Sequence, residues 1–485
     1  MTQLPTPLVE QPAPSLFDRT IDNLRSAWRD IAAFSREAVG ANPRPHLPKE
    51  DADRLRTQMQ ACLAGRGGEV SARARAAELG RTYLGLDSTG RRNFLTVLAR
   101  DFDVDRAVVD KAVDAFHRAV DPASRGDAER ALRAALEPGR MRLLTQFNGL
   151  PEGIKFLVDM RAQLLEWARD DSLMSALEAD MKTLLRNWFD VGFLELRRIT
   201  WDSPASLLEK LIAYEAVHEI RGWQDLKDRL DSDRRCFAFF HPRMPDEPLI
   251  FVEVALVTGM SDNVQTLLDE AAPVQDPQTA DTAIFYSISN AQKGLAGISF
   301  GNFLIKRVVD DLTAEFPKLK HFATLSPIPG FRRWLDGELA KGEGVVTNGE
   351  SARIADLFAD PDVLPPESGA TLAAVLDRPD WQRDEATVKV VKPILMRLCA
   401  TYLIDAKAGK RARDPVAHFH LSNGARMERL NWLGDTSDKG LRQSAGLMIN
   451  YRYKLGDIEA NHESYTGDGK INVSSYVKAH QKSTG

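Results

Sequence analysis

The sequence predicts an α+β protein, with an all-α helical bundle at the N-terminus and a mixed α/β part after it. Up to about residue 190, apolar residues recur at helical spacing and no strand-like alternation intrudes. After that point, short apolar and aromatic runs bounded by Pro, Gly, Asp or Asn alternate with helical stretches. The chain has 485 residues, which at ~150 residues per domain suits two or three domains.

The helical half opens on Phe17, Ile21, Leu24, Trp28 and Ile31, whose spacing of four and three makes one apolar stripe. Ser15 with Asp18 reads as its N-cap and first-turn acid. Phe94, Leu95, Val97 and Leu98 mark a second helix, and Val104, Val108, Val113 and Phe116 a third. Ile154, Leu157, Val158, Leu164, Leu165 and Trp167 mark another. Arg and Ala, both good helix formers, fill the spaces between. This half holds no cluster of the residue types that do chemistry, so residues 15–190 are expected to form a helical oligomerisation domain, giving a homo-oligomer (dimer or tetramer).

In the second half, residues 191–485, strands are expected at Cys236–His241, Leu249–Val257, Thr282–Ser289 and His321–Ser326. Helices are expected over Leu207–Leu230, Asn302–Phe316 and Val391–Ala406, with a helical and loop insertion near 337–380.

Composition excludes several classes of function. Lys+Arg number 64 against Asp+Glu 69, a net charge of -5, so a nucleic-acid protein relying on bulk positive charge is ruled out, although a small basic pocket is not. Cys62, Cys236 and Cys399 are far apart and read as buried thiols, neither a disulfide framework nor a zinc site. No apolar run reaches the ~18 residues of a membrane span. Residues 1–14, with four prolines between Pro5 and Pro14, read as a disordered leader and lack the form of a signal peptide. The end, Lys482-Ser483-Thr484-Gly485, is not a peroxisomal address, and a cytoplasmic protein is expected.

Four stretches could carry chemistry. In Gln292-Lys-Gly-Leu-Ala-Gly-Ile-Ser-Phe-Gly-Asn302 a strand gives way to a glycine-bearing loop and then a helix, the arrangement that binds a pyrophosphate. Lys293, Lys306 and Arg307 flank it, as candidates for holding an anion or as ordinary solvated charges. The same loop also fits a plain tight connection, and Gly297-Ile-Ser299-Phe-Gly301 fits the nucleophile elbow of hydrolases. Ser326 closes an apolar strand stopped by Pro327 and Pro329, the end of a strand where α/β folds place function. His418 and His420 stand two apart, so on a strand they share a face, as a metal pair, as a general acid or base, or as structural histidines. Gly446-Leu-Met-Ile-Asn-Tyr-Arg-Tyr453 reads as an amphipathic strand whose tyrosine could donate into a pocket.

Together these stretches resemble the malonyl-CoA decarboxylase family. FYSIS, QKGLAGISFGNFLIKRVV, FPKLKHFATLSPIPGF, HFHLSNGARMERLNWLGD and GLMINYRY occur in the family's order, over roughly residues 190–460. The resemblance implies a catalytic domain of the acetyltransferase (GNAT) type, with Ala296, Gly297, Ile298, Ser299, Phe300, Gly301 and Asn302 cradling the coenzyme A pyrophosphate. It implies Ser326 and His420 as catalytic residues and Ser287 and Tyr453 as further polar residues of the pocket. Animal members carry an acidic residue where this chain has Ser299.

The implied reaction turns malonyl-CoA into acetyl-CoA and CO2, with the thioester as electron sink. No cofactor or metal is expected, coenzyme A being part of the substrate, and no nucleic-acid or membrane partner. Three other readings share parts of this pattern: an N-acyltransferase on the same fold, a serine thioesterase using Ser299, and a non-catalytic acyl-CoA sensor.

Overall fold

The computed structural model describes residues 16–32, 43–65, 68–298, 303–342, 344–358 and 371–482. The expected leader, the Ser15 cap, Ser299, Phe300, Gly301 and Asn302 lie outside the described residues. The chain divides into two compact units. One comprises Met1–Leu194 with His241–Glu247 and Gln292–Ser299, and the other comprises Glu195–Phe240, Pro248–Ala291 and Phe300–Gly485.

The first unit is built on helices α1 (Leu16–Ala32), α2 (Lys49–Leu63), α3 (Gly68–Gly85), α4 (Ser88–Asp101) and α5 (Arg106–Arg118). α6 (Pro122–Ala135), α7 (Gly139–Phe147), α8 (Gly153–Trp167) and α9 (Ser172–Trp188) follow. Aspartates start four of these helices: Asp87, Asp105, Asp121 and Asp171 each accept a backbone N–H of the first turn. The core centres on Trp28, fully buried, with its ring 4.9 Å from Phe156 and its Nε1 donating to the Pro151 carbonyl at 2.9 Å. Tyr83 packs edge-on against Phe94 and Phe156 and donates to Gln163 at 2.6 Å. A Cβ at Gly80 would lie 2.1 Å from the Trp28 ring, so α3 approaches α1 only because that residue is glycine.

The second unit holds β1 (Glu195–Ile199), α10 (Ala205–Tyr214), α11 (Trp223–Arg229) and most of β2 (Arg234–His241) and β3 (Met244–Val257), whose residues 241–247 are counted with the first unit. Then come α12 (Val264–Leu267), β4 (Thr282–Asn290), α13 (Phe303–Glu315), β5 (His321–Thr324) and β6 (Ser326–Pro327). Three helices, α14 (Phe331–Ala340), α15 (Asn348–Leu357) and α16 (Leu372–Asp377), fall in or near the expected insertion. The long α17 (Glu385–Asp405) leads to β7 (Lys407–Ala408), β8 (Arg411–Ala412) and α18 (Pro415–Ser422). The chain closes with β9 (Arg426–Asn431), α19 (Asp438–Ser444), β10 (Met448–Tyr453), α20 (Ile458–Asp468) and α21 (Ser475–Ala479).

The main sheet runs β1-β2-β3-β4-β5-β10-β6, with β9 also on β10. β4 and β5 pair in parallel, from Thr282 opposite His321 to Phe285 opposite Thr324. β10 is antiparallel to β5, β6 and β9. Inward residues of β2 and β3 (Cys236, Ala238, Phe240, Phe251) pack on Leu208 and Leu211 of α10 and Leu226 of α11. Further along, Ala255, Ile284, Tyr286, Ala323 and Met448 pack on Val264 and Leu267 of α12.

Two expectations need correcting. The helix expected over Leu207–Leu230 is two helices, α10 and α11, because Glu215 turns its carboxylate back to accept the N–H of Val217 and His218 and Gly222 starts the second. The strand placing His418 and His420 on one face is a helix, α18, with Asp414 as N-cap and Pro415 at its first position. All three cysteines are buried free thiols.

Candidate active site

Ser326 and His420, 94 residues apart in sequence, meet in the second unit, with Ser326 Oγ 3.1 Å from His420 Nε2. Each is delivered by a different element. Ser326 sits on β6, opposite Ile449 of β10, where the proline after it ends the strand. His420 sits in the last turn of α18. The N-cap of that helix is an anchor: Asp414 accepts the N–H of Val416 and Ala417, the N–H of Gly330 at 3.3 Å and the Tyr402 hydroxyl at 3.3 Å. One carboxyl group thereby ties the start of α18 to the turn that follows Ser326 and to α17.

β10 supplies the back of the site. The Tyr453 hydroxyl lies 2.8 Å from His420 Nδ1, and the Tyr451 ring stacks on the imidazole with centroids 4.5 Å apart. Thr324 completes the chain. Its Oγ1 accepts from Ser326 Oγ at 2.7 Å and from the Tyr451 N–H at 3.1 Å. With Ser326 donating to Thr324, the consistent assignment runs Tyr453 O–H to Nδ1, Nε2–H to Ser326 Oγ and Ser326 O–H to Thr324. Behind it, Asn450 donates to the Thr324 carbonyl at 2.7 Å and accepts from Asn431 at 2.9 Å, both asparagines being buried. Burial alone pushes the His420 pKa down to about 3, so the free protein carries a neutral imidazole here. Burial likewise pushes the Tyr453 phenol up, keeping its proton on oxygen.

The last hydrogen bond along the parallel pair is Leu325 N–H to the Phe285 carbonyl, and beyond it a cavity of about 220 Å³ is lined by β4, β6 and α18. Ser326 and His420 face it, with Val217, Phe285, Ile288, Val416 and Phe419 among its apolar walls and Asn290 at its edge. Among the described residues no lysine or arginine lines it. Its volume is enough for a short acyl group.

The other expected residues are placed as follows. Tyr453 stands behind His420. Ser287, on β4, does not line this cavity; it donates to Glu215 at 2.8 Å and lies 3.1 Å from Ser289. Ala296, Gly297 and Ile298 belong to the first unit and follow a short turn at Lys293–Leu295. β4 ends at Asn290, so that turn separates it from Ser299, a connection unlike the direct strand-to-serine run of a nucleophile elbow. His418 is two residues from His420 but points elsewhere, with Nδ1 2.9 Å from the Tyr465 hydroxyl. The metal pair is therefore not formed, and among the described residues no three His, Cys, Asp or Glu side chains are grouped as a metal site. Lys306 pairs with Glu459 at 3.4 Å. Thr324 and Tyr451 were not singled out from sequence, though both alternate with a residue that was: Thr324-x-Ser326 and Tyr451-x-Tyr453.

Comparisons with known proteins converge. The family model described as Malonyl-CoA decarboxylase C-terminal domain matches residues 192–484, and the N-terminal domain model matches 102–189. The mitochondrial malonyl-CoA decarboxylase of the goose Anser anser anser is 40% identical over 424 residues, covering 84% of this chain and 83% of that protein. That of Rattus norvegicus is 38% identical over 425 residues, covering 84% of this chain and 85% of the rat protein. Among solved structures, malonyl-CoA decarboxylase from Rhodopseudomonas palustris superposes with a TM-score of 0.80 at 42% identity, covering 89% of this chain and 99% of that one. The enzyme from Agrobacterium vitis superposes at 0.77 with 45% identity, covering 89% of this chain and 100% of that one. With both domain models matched and relatives of this identity covered over most of their length, the chain belongs to the malonyl-CoA decarboxylase family.

Proposed function

We propose that this chain decarboxylates malonyl-CoA to acetyl-CoA and CO2, with Ser326 and His420 as the catalytic pair. The observation that carries the reading is the chain Tyr453–His420–Ser326–Thr324 turned toward an apolar cavity, in a member of this family.

Loss of CO2 leaves an electron pair on C2 that the thioester carbonyl takes up as an enolate, so the substrate carries its own electron sink. The protein must orient the carboxylate, hold the enolate and return one proton to C2. The cavity suits the first task. A carboxylate localises its charge, whereas the transition state spreads it toward the thioester. Apolar walls without a cation therefore disfavour the substrate's charge more than the transition state's. The Ser326 hydroxyl, one of the polar groups lining the cavity, orients the carboxylate by hydrogen bonding. The proton for C2 comes from the hydrogen-bonded Ser326–His420 unit, with Tyr453 fixing the imidazole through Nδ1. One proton is consumed per turnover, since an anionic carboxylate leaves as neutral CO2. No metal or organic cofactor enters this scheme.

Finer statements belong to the same proposal. The catalytic unit is read as GNAT-type, with Ala296–Asn302 holding the coenzyme pyrophosphate and Ser287 near the acyl pocket. The helical unit is read as the site of homo-oligomer formation, and the protein as cytoplasmic. No helix among the described residues is long and apolar enough to cross a membrane. Incubation with malonyl-CoA alone is the decisive test. An N-acyltransferase gives no acetyl-CoA without an amine acceptor, a thioesterase gives free coenzyme A and malonate, and a sensor gives nothing; any of the three outcomes sinks the proposal.

A further inference from the structure

The loop after β4 is held by a buried arginine of the helical unit. Arg161, on α8, is 1% exposed. Its guanidinium donates to the Gly294 carbonyl through Nη1 and to the Ala296 carbonyl through Nη2 at 2.9 Å. Glu178 of α9 accepts from Nε at 3.1 Å and from Nη2 at 2.5 Å. Gly294 is pressed so closely on α8 that a Cβ would lie 1.7 Å from the Val158 carbonyl oxygen. All these residues belong to one compact unit.

The clamp has a directional effect. In a trans peptide the C=O and the N–H point in opposite directions. Drawing the Ala296 carbonyl inward to Arg161 turns the Gly297 N–H outward. Leu295, Ala296 and Ile298 each spend their N–H inside the turn, on Gln292, Lys293 and Leu295, whereas that of Gly297 makes no hydrogen bond among the described residues. Gly297 is exposed and has φ +73°, a conformation that favours glycine. Lys182 of α9 reaches over this point, with Nζ 3.0 Å from where a Gly297 Cβ would be. An outward amide and an ammonium group converge on one exposed spot.

The geometry points to an anion-binding corner in the helical unit, where Lys182 and the Gly297 N–H hold a phosphate of coenzyme A and Arg161 with Glu178 are positioning residues. It rests on the reading of this loop as the coenzyme loop. The helices then contribute to substrate binding as well as to assembly. The corner uses residues no further than Ile298.

The test uses the full-length protein with two substrates, malonyl-CoA and malonyl-pantetheine, the latter lacking the nucleotide and its phosphates. Lys182→Ala should raise KM for malonyl-CoA by about 10- to 100-fold, the range of a charge-assisted hydrogen bond, with a much smaller change in kcat. Malonyl-pantetheine should not distinguish the variant from wild type. Gly297→Ala, strained at this φ and crowding Lys182, should raise the same KM, and Arg161→Lys, which cannot span both carbonyls, should do so as well. Should Arg161→Lys fail to fold, Lys182→Ala and Gly297→Ala decide the matter. A KM for malonyl-CoA unchanged in Lys182→Ala overturns the inference, and so does a rise equal for both substrates, which would make Lys182 structural. Titration of coenzyme A itself, monitored by calorimetry, reports on the corner even if no decarboxylation is found, so the two proposals fail separately. Inorganic phosphate competing with coenzyme A in that titration at equal concentration would also overturn the assignment to the coenzyme.

Discussion

At the residue scale, the site is a line of hydroxyls and one imidazole whose members differ in what they touch. Ser326 and His420 face the cavity, so Ser326→Ala and His420→Asn should each lower kcat by about 10²–10⁴-fold, the range of a positioned acid, in a malonyl-CoA turnover assay. Tyr453 acts through Nδ1 only, so Tyr453→Phe should cost about 10-fold, one hydrogen bond's worth. Gly330 tests the anchor from another side. A Cβ there would meet the Tyr402 hydroxyl at 2.1 Å and Asp414 Oδ2 at 3.3 Å. Gly330→Ala should cost about 1–3 kcal/mol in a chemical-denaturation midpoint, together with lost activity, because the crowded carboxyl group also caps α18. Unchanged stability would mean that the anchor yields.

At the element scale, the division into helices and strands was legible because periodicity reports which face of an element is buried. The Leu24–Trp28 stripe and the apolar runs of β3 and β4 are examples. Periodicity failed at His418 and His420, where two residues with one between them read as strand. Asp414-Pro415 was the stronger signal, since it caps and starts a helix. On a helix, positions two apart diverge by roughly 200°, which sends His418 to Tyr465 and His420 to Ser326. The pairing of Ser326 with His420 was legible only through family resemblance, because no local spacing encodes a contact across 94 residues. One pair of helices leaves apolar side chains exposed. α5 and α6 pack on each other, yet Val108 is 51% exposed, Val120 95% and Leu136 52%. If this hairpin joins subunits, Val108→Ser with Leu136→Ser should reduce the mass seen by light scattering after gel filtration, with the far-ultraviolet circular dichroism unchanged. An unaltered mass would move the interface elsewhere.

At the scale of the whole molecule, three buried groups shape the pH dependence of stability. Burial lowers the pKa of His420 to about 3 and, chiefly, that of His218 to about 4, and burial is the main cause raising Glu253 to about 8. The unfolded chain protonates each histidine near pH ~6.5 while the native state does not, so the histidine contribution is present above that pH and lost as pH falls. Glu253 works the other way. The native state keeps a proton that the unfolded chain releases above pH ~4.5, so stability falls as pH rises toward 8. The three together place the maximum near pH ~6.5, with each uncompensated proton contributing about 1.4 kcal/mol per pH unit. Urea melts from pH 4 to 8 check this. Glu253→Gln should remove the decline above the maximum, and a wild-type curve that stays flat there would contradict the assignment. Dialysis against a strong chelator should leave turnover unchanged, since the scheme passes through no metal.

As proposed, the Ser326–His420 unit protonates the acetyl-CoA enolate left when malonyl-CoA loses CO2. The most direct measurement is a turnover assay in heavy water, following acetyl-CoA and CO2 from malonyl-CoA alone with wild type and His420→Asn. The account predicts equimolar products with one solvent deuterium at C2 in the wild type, and a loss of at least about 100-fold in the variant. Wild-type protein that forms no acetyl-CoA, or a His420→Asn protein that forms it at the wild-type rate, would contradict it.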